Sequence, residues 1–145
     1  MTQNLYRNIL ASIRWHLYET DDSLAWYLDR KNSNMTEDTF VELRSSMGRR
    51  QHELKAYEHD FLQIMVFAKA VEDLDALIGK FYEALDSPGG KIPVMDYIGE
   101  ATIENPTPTT ELGALQIERL ELSPQTSASE YAVQAITAYY SLIDH

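Results

Sequence analysis

The chain has no cysteine among its 145 residues. That absence excludes disulfides, thiolate nucleophiles and cysteine-ligated metals. A cytoplasmic location is the expectation for a chain that uses none of them. Basic side chains are also scarce. Lys and Arg number 12 against 23 Asp and Glu, giving a net charge of −11. Only Lys91 and Arg119 are basic beyond residue 90. Direct nucleic-acid binding needs basic side chains against phosphates, so this balance disfavours it, and it equally disfavours an anionic membrane surface. No apolar run approaches the roughly 20 residues that cross a bilayer. The densest stretch, residues 61–71, is interrupted by Gln63 and Lys69. The opening MTQNLYRN offers neither a basic start nor an apolar signal core. Walker loops, Gly-x-Gly-x-x-Gly and Gly-x-Ser-x-Gly are all lacking, so no cofactor is implied.

What is present is apolar pattern. Hydrophobic residues make up 44 % of the chain, enough for one domain over residues 1–145 with a buried core. No proline falls between residues 36 and 87. There Phe40, Met47, Leu54, Phe61 and Ala68 recur by sevens, and Leu43, Tyr57, Ile64, Val71, Ile78 and Leu85 fill the complementary heptad position. Such spacing predicts a long helix over 36–87. A first helix is expected over 4–29, with Leu5, Ile9, Leu10, Ile13, Leu17 and Leu24 on one face and a weak point at Thr20-Asp21-Asp22-Ser23. Asp86-Ser87-Pro88-Gly89-Gly90 ends the second helix. Residues 88–127 read as a loop-rich connection, with either a short helix from Pro93 to about Ile103 or a short strand at 92–97 left open, and a weak helix favoured at 111–122. The capping-box spacing Ser127-Ala128-Ser129-Glu130 predicts a last helix over 128–143. The expected fold is mainly α: a long antiparallel helical hairpin closed by a C-terminal helix.

Trp15 and Trp26 stand 11 residues apart, about three helical turns, with Tyr18 nearby. They fall opposite the main apolar face of the first helix. Aromatic anchors of this kind are enriched at interfaces, although a helix covered on two sides shows the same pattern. Trp15, Tyr18, Trp26, Phe61 and Phe67 are therefore the candidate interface residues. His52 and His59 share a helical face, but no histidine has a glutamate three positions before it, as helical metal sites often do. A solvated polar face is the simpler account, and no metal ligand is assigned. Glu19/Asp22, Glu72/Asp75 and Glu83/Asp86 match the Glu-x-x-Asp spacing with which all-α nucleotide pyrophosphohydrolases hold Mg²⁺. With so many acids, chance alone supplies such pairs. Arg44, Arg49, Arg50 and Lys55 form the one basic cluster, matched at helical spacing by Glu42, Glu53 and Glu58.

These features favour a non-enzymatic interaction protein, assembling with itself and engaging another protein. Two rivals are an acidic inhibitor that imitates nucleic acid, such as a viral accessory protein, and a Mg²⁺-dependent nucleotide hydrolase. Neither catalytic residues nor a cofactor are expected in the favoured reading.

Overall fold

Within the stretch read as one helix over 36–87, the described residues fold instead as two strands followed by a helix. The computed structural model describes residues 2–18, 25–28, 38–45, 60–86, 91–97 and 110–144. In chain order the elements are α1 (Thr2–Tyr18), β1 (Ala25–Leu28), β2 (Thr39–Ser45), β3 (Asp60–Ala68), α2 (Val71–Leu85), β4 (Lys91–Met95), β5 (Glu111–Leu122), β6 (Thr126–Ala128) and β7 (Tyr131–Asp144). The fold is thus mostly β, a curled mixed sheet with two helices, and the mainly α bundle is overturned.

The physical reason lies in the apolar runs. In β3, Leu62, Ile64, Val66 and Ala68 enter one core while Phe67 is buried on the opposite face. A strand buried on both sides reads as a continuous apolar run, which periodicity alone cannot separate from a buried helix. The β-branched and aromatic content of Phe61, Ile64, Val66 and Phe67 decides for strand. The same holds for β7, where the expected helix over 128–143 is replaced. Ile136, Ala138 and Tyr140 alternate with Val133 and Ala135, and both sets are buried. Ser127, Ala128, Ser129 and Glu130 form no capping box. They belong to the β6–β7 hairpin, where Ala128 pairs with Tyr131. Ser129 takes φ 59°, the positive value that tight hairpins demand at their first central residue in the type II′ form. The described part of the connection over 88–127 is largely sheet: β4 forms at 91–95, where the sequence leaves a strand or a helix open, and β5 replaces the helix favoured at 111–122.

The strands run in the order β1-β2-β3-β7-β5-β4, with β6 also pairing β7. β1 lies parallel to β2, and all other pairings are antiparallel. β7 is the hub. Its residues 132–140 pair with β3 and residues 136–144 pair with β5. Ser123, Pro124 and Gln125 carry the chain from β5 to β6 along the same edge. The Ala135 N–H donates to Ser123 Oγ at 2.9 Å, and Gln134 Nε2 donates to the Ser123 carbonyl at 2.8 Å, which fastens that crossing.

Both helices cover one face of the sheet. From α1, Ile9, Leu10, Ile13 and Leu17 are buried, as their helical spacing predicts. From α2, Leu74, Leu77, Ile78, Phe81 and Leu85 join them over Val41, Leu43, Leu62, Ile64, Ile136 and Ala138. Glu72 and Asp73 lie in the first turn of α2, where the helix dipole favours acids. A polar latch fixes α1 to the end of β4. The Met95 N–H donates to Ser12 Oγ at 3.1 Å, and Asn8 Nδ2 donates to Asp96 Oδ1 at 3.4 Å. Among the described residues, no helix is long and apolar enough to cross a membrane.

Candidate functional site: a cavity on the second sheet face

Strand alternation decides which side chains leave the helix-covered core. In β2, Val41 and Leu43 point to the helices, so Phe40, Glu42 and Arg44 point away. In β3 the outward set includes Phe61, Gln63, Met65 and Phe67, and in β7 it includes Tyr131, Val133 and Ala135. Register then sets neighbours. Phe40 stands opposite Phe67, Glu42 opposite Met65, and Val133 opposite Phe67 from the other side.

The aromatic members form a second, smaller core. The Phe40 and Phe67 rings stack with centroids 4.4 Å apart and planes 7° from parallel. Tyr131 meets Phe40 edge-on at 5.2 Å, and Tyr27 of β1 does so at 5.7 Å. Beside this layer lies a cavity of about 540 Å³, lined on one side by Glu42, Arg44, Met65 and Phe67. Tyr131, Val133 and residues of the β6–β7 hairpin line the other. Its volume falls in the roughly 300–1,000 Å³ range of small-molecule sites.

Glu42 is the unusual group. Its side chain is fully buried within an otherwise apolar and aromatic layer. Arg44 donates from Nη2 to Glu42 Oε1 at 2.9 Å, but 44 % of the arginine side chain is exposed. Glu42 Oε2 is buried with no hydrogen-bond partner. A buried carboxylate oxygen left unsatisfied is costly, and native structures contain few of them. At the cavity rim, Lys69 Nζ lies 3.6 Å from both Asp38 Oδ1 and Glu130 Oε2, and 5.8 Å from the Tyr131 ring. Partial loss of water works against the Lys69 ammonium. The charges of Glu130, Tyr131 and Asp38, with the Asp38 hydrogen bond, outweigh it and hold the amine above its ordinary range. Lys69 thereby fastens the hairpin turn to the start of β2.

The residues singled out by sequence scatter. Trp15 sits on α1, half-buried, with the Arg14 guanidinium 4.3 Å from its ring centre. Trp26 sits on β1, half-buried against the helix-side core, 5.6 Å from Phe81. The single aromatic stripe required one unbroken helix over 4–29. α1 ends at Tyr18 and β1 is a strand, so that geometry is corrected. The Tyr18 side chain lies outside the described residues. Phe61 and Phe67 do share a face, the one turned away from the two described helices. Phe61 lies 5.9 Å from Tyr139, and Phe67 lines the cavity.

The acids Glu72, Asp73, Asp75 and Glu83 are exposed on α2, with Asp86 exposed at its C-cap, and Asp75 accepts a hydrogen bond from Gln125 at 2.6 Å. No three Asp, Glu or His side chains converge on a metal-sized site among the described residues. Glu19, Asp22, His52, His59, Arg49, Arg50 and Lys55 lie outside those residues. Sequence reasoning missed Glu42 and Arg44 as a site because it placed them on a helix, with the glutamate serving a basic cluster. The available signal was a lone acid inside Phe40-Val41-Glu42-Leu43, an apolar run in which no charge is expected without a purpose. No protein-family model matches the chain, and no curated protein matches it significantly.

Proposed function

We propose that the protein is a non-enzymatic binding protein, placed in the cytoplasm, that captures a small and partly apolar molecule on the sheet face turned away from its two described helices. The observation that carries this reading is the cavity of about 540 Å³ with a fully buried, half-satisfied Glu42 in its wall. Binding sites are mostly apolar concavities with a few placed polar groups, and Met65, Phe67, Tyr131, Val133 and Glu42 have that composition. The test is methyl NMR on the Met65 side chain during titration with a library of small aromatic and alkyl compounds. Saturable shifts confined to Met65 and its cavity neighbours support the reading. Shifts that stay at Met65 after Met65-facing space is filled by Val133→Trp would count against it.

Self-association through the same face is a second reading. Phe61, Met65 and Tyr139 are only half-buried there, and aromatic and methionine side chains are enriched in interfaces. Light scattering decides it. An oligomer that Phe61→Glu converts to monomer supports a subunit interface, and a wild-type monomer removes it.

A further inference from the structure

Resting on that reading of the cavity, we infer that its ligand is a small organic ammonium with an aromatic or alkyl body, anchored at Glu42 Oε2. Three observations combine. The cavity wall holds one carboxylate in an apolar setting, that carboxylate has one oxygen without a donor, and among the described residues the cation on the other oxygen is a half-exposed arginine. Removing a carboxylate from water disfavours the free protein unless donors replace the lost hydration. A ligand N⁺–H supplies the missing donor and the missing charge together. A charge-assisted hydrogen bond is about twice as strong as a neutral one, so an ammonium gains more here than an alcohol of the same shape.

Arg44 determines access. Its side chain lines the cavity and holds Oε1 from a partly solvated position, so it can swing outward while a ligand head takes the buried side. Arg44 and the incoming ammonium then compete for one carboxylate. Other cavity groups do not offer an equal anchor. Glu130 is exposed and already lies beside Lys69, and the remaining lining is Met65, Phe67, Thr126, Ala128, Ser129, Tyr131 and Val133. The body of the ligand sits against Phe67 and Tyr131, whose rings meet edge-to-face with centroids 6.3 Å apart and offer an aromatic wall.

The experiment uses three probes with one body: phenethylamine, 2-phenylethanol and 3-phenylpropionate. Each is titrated by NMR and calorimetry into the wild-type chain, Glu42→Gln and Arg44→Met. Phenethylamine is expected to bind at least about tenfold tighter than 2-phenylethanol. Glu42→Gln is expected to erase that preference, and Arg44→Met to tighten amine binding by removing the competitor. Equal binding of amine and alcohol overturns the ammonium class and leaves the cavity reading standing. Tightest binding of 3-phenylpropionate overturns it in favour of an anion at Arg44. An amine preference that survives Glu42→Gln overturns the assignment to Glu42. No binding of any probe overturns both this inference and the reading it rests on. If Glu42→Gln does not fold, Arg44→Met and amine-induced shifts at Met65 in the wild type still decide the matter.

Discussion

Replacing Glu42 by methionine is expected to stabilise the protein, although it deletes an ion pair. Burying a carboxylate costs several kcal/mol. Glu42 recovers one charge-assisted hydrogen bond at 2.9 Å, worth about 1.5–3 kcal/mol and weakened here because Arg44 is 44 % exposed. Its second oxygen, left without a partner, adds a penalty of about 1–3 kcal/mol. Methionine has similar length, no polar atom, and neighbours such as Phe40 and Met65 that accept sulfur well. The balance predicts a gain of about 1–3 kcal/mol, within the range seen when apolar residues replace buried ion pairs. Arg44→Met is expected to do the opposite, losing about 1–3 kcal/mol by stranding the carboxylate, less than a fully buried pair would lose. Urea unfolding followed by circular dichroism measures both, with equal m-values showing that the unfolded states match. A loss of stability in Glu42→Met comparable to that in Arg44→Met would refute the reasoning. It would mean that the pair is a structural clamp and that Glu42 is not held for a ligand.

Other outcomes follow from local geometry. Ser129→Gly is expected to raise stability by roughly 0.5–1 kcal/mol in the same urea assay, because φ 59° is strained for serine and free for glycine. Gly113→Ala is expected to lower it by about 1–3 kcal/mol, since the new Cβ would lie 2.7 Å from the Ile143 carbonyl oxygen of the paired β7 backbone. In pH titrations, burial holds the Tyr97 phenol above its ordinary value of 10.0. Its raised folded pKa gives a contribution that is complete below pH 10.0 and lost as pH climbs through the higher folded value. Tyr97→Phe is therefore expected to flatten the alkaline fall in melting temperature, while a curve unchanged above pH 10.0 would remove Tyr97 from its cause. Lys69 acts in the same direction above 10.5.

The sequence revealed the helices only where one face was left polar. In α1 the spacing of Ile9, Leu10, Ile13 and Leu17 marked the buried positions; in α2 it marked Ile78 and Leu85, whereas Val71, read into the same seam, is exposed. β3 and β7 gave no such contrast. Each packs against the helices on one side and against the aromatic layer on the other, so the alternation that marks a strand was filled in. The spacing by sevens from Phe40 through Phe61 to Ala68 was coincidental. Phe61 and Ala68 belong to one strand and point to opposite faces. Phe67 reads from the sequence as an interface candidate; in the structure it stacks on Phe40 across the sheet, a contact no local spacing encodes. Glu42 carried a visible signal, hidden once its run was assigned to a helix.

The central place of β7 has a consequence for how the chain is made. β7 follows every other described strand in sequence, yet both β3 and β5 pair with it. During synthesis, the two sides of the sheet wait for the strand that joins them. Until it emerges from the ribosome, the apolar edge of β3 has no native partner on that side. Completion of the sheet is thus deferred until β7 has been made, and its long-range pairings make it slow. Nascent chains halted before residue 131 expose a sticky half-sheet, which makes them natural clients of chaperones and prone to aggregate.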